Sequence, residues 1–128
     1  MRARGRIGEL AATKRVIVCA GSGGVGKTTT AGAIALRAAA DGARAAVVTI
    51  DPARRLATSL GLEELSNDPV RVPKAKFTRA GIDAAGELFA MMLDTKTTFD
   101  KVVTQYAPSP EQAERILSNR FYRNISAT

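Results

Sequence analysis

Eight consecutive residues, Gly21, Ser22, Gly23, Gly24, Val25, Gly26, Lys27 and Thr28, follow the pattern G-x-x-x-x-G-K-[ST]. Each part has a physical task. The glycines let the backbone turn so that successive N–H groups face phosphate oxygens. A helix opening near Lys27 adds its positive N-terminal end. The Lys27 ammonium reaches β- and γ-phosphates and neutralises charge that builds during phosphoryl transfer. The Thr28 hydroxyl suits Mg2+, a hard cation that takes oxygen ligands and keeps several waters. The chemistry indicated is nucleotide binding with Mg2+; the competing reading is a glycine turn with a structural role only. Thr29 and Thr30 extend the hydroxyl run, either as an α-phosphate contact or as helix-surface threonines.

Two acids are candidates beside the loop. Asp51 stands just past the carboxyl end of an apolar run, the edge where ligands bind in open α/β sheets. It can hold a water bridging to Mg2+ or orient an attacking water; the alternative is an Asp51-Pro52 turn that caps the next helix. Asp94 closes the apolar run Leu88–Leu93, the shape of a metal-organising acid, and equally suits the cap of a helix carrying Phe99 and Val102. Cys19 adjoins the loop within an apolar stretch and reads as a buried, inert thiol.

The elements that must position these residues are legible as patterns. Residues 15–20 form a β-branched apolar run, predicted as a strand buried on both faces. After the loop, Ala31, Ile34, Ala35 and Ala38 share one face of a helix from Lys27 that Gly42 is placed to end. Residues 44–50 form a second buried strand. Strand, loop, helix and strand together predict a βαβ unit with parallel strands. A short helix is expected over 53–60, a connection over 66–86, and either strand or helix over 87–93. Phe99, Val102, Val103 and Tyr106 are spaced for an amphipathic helix that Pro108 ends. Ser109, Pro110 and Gln112 then form a strong helix start, with an apolar face expected to run on through Ala113, Ile116, Leu117, Phe121 and Ile125.

Composition narrows the classes. The 128 residues contain one cysteine and no histidine, which excludes Ser-His-Asp and Cys-His catalysis within this chain and disfavours zinc. No apolar run is long enough to span a membrane, and no secretory signal is recognisable, so a cytoplasmic protein is expected. Of the net charge of +7, residues 1–15 supply +4 from five cations and Glu9. Residues 1–14 therefore read as a basic, solvated N-terminal arm, with a weak contact to nucleic acid or anionic lipid as the alternative. Six aromatics, none clustered with the basic residues, argue against a nucleic-acid surface.

Gly21 to Thr29, followed by Thr49, Ile50, Asp51, Pro52 and Ala53, resembles the arsenite-pump (ArsA-type) ATPase family. That family includes the targeting factors for tail-anchored membrane proteins and is related to the MinD and ParA ATPases. The closest likeness is to actinobacterial ArsA-like ATPases, through Asp51 to Ala57 and Ala90 to Asp94. The resemblance implies an α/β P-loop NTPase of the SIMIBI/MinD-like class, with a parallel sheet flanked by helices. It implies Mg2+-dependent ATP hydrolysis, homodimers or paralogue heterodimers whose sites face each other, and a protein client or membrane-protein partner. It places Asp51 on the first switch, orienting the attacking water, and moves the metal-organising acid away from Asp94 to a later segment. Two departures stand out. Ser22 occupies the position of the family's second lysine, which reaches across the dimer. The second switch and later strands do not appear, so residues 15–128 read as the N-terminal portion of an ATPase domain, apparently truncated. The alternatives carried forward are a nucleotide-binding fragment without turnover, a ParA/MinD-like regulatory ATPase, and a metabolite kinase on the same scaffold.

Overall fold

The computed structural model describes residues 5–50 and 55–127. Asp51, Pro52, Ala53 and Arg54 lie outside them. The chain divides into two compact units, Met1–Met92 and Leu93–Thr128.

The first unit runs α1 (Arg6–Thr13), α2 (Lys27–Ala40), β1 (Arg44–Thr49), α3 (Arg55–Ser59), β2 (Val70–Arg71), α4 (Lys74–Arg79) and β3 (Glu87–Met92). The alanine-rich sequence of α2 favours helix, and Gly42 stops it. Gly42 sits at φ +101°, a left-handed conformation that costs a residue with a Cβ about 1–2 kcal/mol. Its N–H donates to Ala39 O (3.1 Å) and that of Ala43 to Ala38 O (2.9 Å), satisfying the last carbonyls. α3 and α4 end in the same way at Gly61 and Gly81.

The sheet has the order β1-β3-β2. β1 and β3 are parallel, in register from Arg44↔Glu87 to Thr49↔Met92, while β2 is antiparallel to β3. The sheet is therefore mixed, where a purely parallel one was expected. The small residues Ala35 and Ala39 let α2 approach closely, and they bury Val47, Leu88 and Ala90 together with Leu56, Ala57 and Phe77. Gly86 fastens the end of α2 to the start of β3. Its N–H donates to Ala39 O (2.9 Å), and a Cβ on it would lie 2.1 Å from Ala43 O. Across the sheet surface Glu87 pairs with Arg71 (2.8 Å) and Arg44 (3.6 Å), and the Arg44 guanidinium lies 5.3 Å from the Phe89 ring centroid.

Several expectations are corrected. Residues 15–20 form no strand: the run has a bend at Arg15 and no regular structure after it, pairs with no strand among the described residues, and leaves Val16 and Val18 80% and 81% exposed. Apolar composition gives a segment reason to pair, but pairing also needs a neighbour within hydrogen-bond reach, and the one partner β1 has among the described residues is β3. Cys19 is accordingly half-buried, not buried. Within the N-terminal arm, residues 6–13 form a helix, α1, that contacts α2 and buries none of its residues. The stretch 66–86 hides β2 and α4, and 87–93 resolves as strand.

The second unit is helical, with α5 (Thr95–Tyr106), α6 (Pro110–Leu117) and α7 (Arg120–Ser126). Each helix has a side-chain N-cap. Asp94 accepts from the Thr97 N–H (3.2 Å), Ser109 Oγ from Gln112 (3.2 Å), and Asn119 Oδ1 from Phe121 (2.9 Å) and Tyr122 (3.3 Å). The continuous final helix expected through Ile125 is thus two helices, broken where Asn119 leaves helical geometry to cap α7. The Tyr122 hydroxyl donates to Asp100 Oδ1 (2.9 Å), tying α7 to α5, and within α5 Lys96 Nζ donates to Asp100 Oδ2 (2.7 Å).

Candidate phosphate-binding site

The site is built from the end of the apolar run 15–20, a glycine turn and the start of α2. Gly24 and Gly26 adopt φ +73° and +86°, and these two left-handed residues reverse the chain so that α2 begins at Lys27. Gly26 occupies the N-cap position and offers no side-chain cap. The first helical bond is Thr30 N–H to Gly26 O (2.9 Å). Among the described residues, the N–H groups of Lys27, Thr28 and Thr29 therefore have no acceptor, as a helix start leaves them unless a ligand or cap intervenes.

The surroundings fit an anion. Added Cβ atoms at Gly23, Gly24 and Gly26 would meet nothing within 4 Å, so the inner turn is open. Gly21 differs: its Cβ would lie 3.1 Å from Val25 Cγ2 and 3.7 Å from Lys27 Cγ. Val25 closes the turn from outside. Lys27 and Thr28 are half-buried while Thr29 and Thr30 are exposed. Lys27 Nζ donates to Ser22 O (2.6 Å). That contact gives Ser22 a backbone role, and no side-chain pattern could have announced it.

Lys27, Thr28, Cys19 and the end of β1 at Thr49 and Ile50 border one cavity of about 870 Å³. The structure thus brings the carboxyl end of β1 to the same space as the loop. Asp51, the residue that follows, lies outside the described residues. Asp94 is committed to capping α5: the hydroxyl and N–H of Thr97, in that order, hold its carboxyl below the usual aspartate range. Among the described residues no group of three His, Cys, Asp or Glu side chains is placed to hold a metal ion. Thr28 Oγ1 remains the protein oxygen suited to Mg2+, an ion that completes its shell with waters and phosphate oxygens. No described helix is long and apolar enough to cross a membrane.

The family model for anion-transporting ATPases (ArsA_ATPase) matches residues 14–118. No curated protein matches the chain.

Proposed function

The chain belongs to the anion-transporting ATPase family, and on that footing we propose that residues 21–29 bind ATP with Mg2+ and that the protein hydrolyses it to drive a client protein. The observation that carries this reading is the uncapped start of α2, with Lys27 at its first position on a left-handed Gly26. The orphan N–H groups of Lys27 to Thr29 meet the β-phosphate, favoured by the helix N-terminus. Lys27 exchanges Ser22 O for β- and γ-phosphate oxygens and offsets their charge. Thr28 supplies the hydroxyl for Mg2+, which when bound neutralises the phosphates further. Gly23, Gly24 and Gly26 keep the cradle free of side chains, Gly21 and Val25 set its outer wall, and Thr29 extends the hydroxyl edge.

Asp51 orients the water that attacks the γ-phosphorus; the bond from that phosphorus to the β,γ-bridging oxygen breaks and ADP leaves. The protein works in the cytoplasm as a homodimer or paralogue heterodimer, and nucleic acid is not its partner. The family match supports ATP hydrolysis, and the cavity that Lys27 shares with Thr49 and Ile50 supports a role for the residue that follows them, Asp51. Phosphate release from MgATP is the test. Lys27→Ala and Asp51→Asn should each lower it by at least about a hundredfold, with Asp51→Asn still binding ATP. Turnover unchanged by Lys27→Ala would sink the proposal, and ATP binding without turnover would leave a nucleotide-binding module.

A further inference from the structure

The helix α1 precedes the family match, which begins at residue 14, and the nucleotide chemistry gives it no task. None of its eight residues is buried. It meets α2 through small residues. Gly8 and Ala11 are its half-buried positions, and Ala11 and Ala12 border a small cavity with Ala38, Asp41 and Ala43. The large apolar side chains are left in solvent. Ile7 and Leu10, three residues apart and so neighbours on one helix face, are 57% and 44% exposed.

Cations frame that pair. Arg6 lies four residues before Leu10. Lys14, whose N–H donates to Leu10 O (2.8 Å), lies four residues after Leu10 and seven after Ile7. All four therefore share one side of the helix. Glu9 stands about 100° round the helix from Leu10. Arg6, Lys14 and Arg15 are exposed, and no ion pair among the described residues engages them. Asp41, the acid at the cavity between α1 and α2, is paired with Arg37 (3.0 Å). With Arg2 and Arg4, residues 1–15 hold five cations against Glu9.

The face is cationic and apolar at once, and that combination selects the partner. Phosphate groups alone satisfy the cations and give Ile7 and Leu10 nothing. Nucleic acid adds bases, which proteins grip by stacking aromatic side chains, and residues 1–15 contain no aromatic. An anionic lipid surface takes both halves: headgroup phosphates meet the cations while aliphatic side chains enter the acyl boundary beneath. We propose that α1 docks the protein reversibly on anionic lipid membrane, with Ile7 and Leu10 inserted and Arg6, Lys14 and the flanking arginines on the headgroups. Neither half holds alone. Two aliphatic side chains are too little for stable anchoring, and salt screens cations that stand without them. Ala38 lies about 16 Å along α2 from Lys27, so the contact leaves the glycine turn clear.

The test is co-flotation of the 128-residue chain with lipid vesicles, without nucleotide, so it stands whether or not residues 21–29 bind ATP. Phosphatidylcholine vesicles with about one third phosphatidylglycerol should carry the protein, and pure phosphatidylcholine should not. Binding should vanish in about 0.5 M salt. Each cation near an anionic surface strengthens binding about fivefold, so Arg6→Gln with Lys14→Gln should weaken it roughly twenty-five-fold. Ile7→Ser with Leu10→Ser keeps every charge and should weaken it at least about tenfold, with the thermal midpoint unchanged because neither side chain is buried. Ile7→Leu with Leu10→Ile should bind as the wild type does. The chain has no tryptophan, so Leu10→Trp places a single fluorophore at the contact, and its emission should shift to the blue on anionic vesicles. Equal binding to pure phosphatidylcholine, binding unchanged by Ile7→Ser with Leu10→Ser, or no blue shift would overturn the proposal. So would duplex DNA that displaces the vesicles at equal phosphate concentration, which would make the arm a nucleic-acid contact.

Discussion

Lys27 Nζ lies 2.6 Å from Ser22 O, so the ammonium turns back onto the loop that precedes it. An ammonium has three donors and prefers charged acceptors, and phosphate oxygens should displace that carbonyl. A charge-assisted bond of this kind contributes about 1.5–3 kcal/mol. Lys27→Ala should therefore weaken ATP binding by roughly ten- to a hundredfold, read by titration calorimetry. The thermal midpoint should move little, because the bond lost in the fold is solvent-exposed.

Two glycines of the loop should separate folding from binding. Gly26 is held at φ +86°, so Gly26→Ala forces a Cβ into left-handed geometry at a cost of about 1–2 kcal/mol. Both stability and ATP affinity should fall. Gly23 has neither positive φ nor a crowded Cβ position. Gly23→Ala should leave stability within about 0.5 kcal/mol yet weaken ATP binding at least about tenfold, since the proposed phosphate position lies in the open turn. Equal affinity in Gly23→Ala and wild type would place the ligand elsewhere.

Gly86 is a packing requirement, and no turn explains it. A Cβ there would sit 2.1 Å from Ala43 O and 2.7 Å from Ala39 O, both backbone atoms that cannot rotate away. Gly86→Ala should cost about 3 kcal/mol by prising β3 from the end of α2. Urea unfolding would show it as a lower midpoint with an unchanged slope.

Much of the site was legible because its signals are local. The loop spacing, the Gly42 stop, β1, and the Ser109 cap are each written within a few residues, and each appears in the structure. The run 15–20 reads as a strand on apolar composition, but a strand is a relation between two segments, and composition reports only one of them. β2 has two residues, too few for periodicity to register, and α4 offers one buried residue, Phe77, among lysines and an arginine. Asn119 caps α7, and the apolar spacing of Ile116, Leu117, Phe121 and Ile125 continues across it and hides the break. The choice between cap and metal ligand at Asp94 turned on Thr97, which the residue pattern alone does not orient.

The second unit should loosen in acid through two carboxylates. Asp94 is held below the usual aspartate range by Thr97, and Asp100 by Lys96 and then the Tyr122 hydroxyl. A depressed folded-state value means that the stabilisation is complete above the unfolded aspartate range and is lost as pH falls through the folded value. Tyr122 is shifted the other way, upward, by burial first and Asp100 second. Its contribution is present below the ordinary tyrosine range and is lost as pH rises through the folded value. Asp94→Asn keeps a capping oxygen but cannot titrate. Helicity followed by circular dichroism should show a shallower acid transition in that variant; superimposable acid curves would contradict the assignment.

The central claim is that ATP is held by the glycine turn and the uncapped start of α2. Hydrogen exchange of the 128-residue chain with and without MgATP reads those amides directly. The account predicts slowed exchange centred on residues 24–29, absent in Lys27→Ala, with α6 and α7 unaffected. Unchanged exchange across residues 21–30, or equal protection in Lys27→Ala, would contradict it.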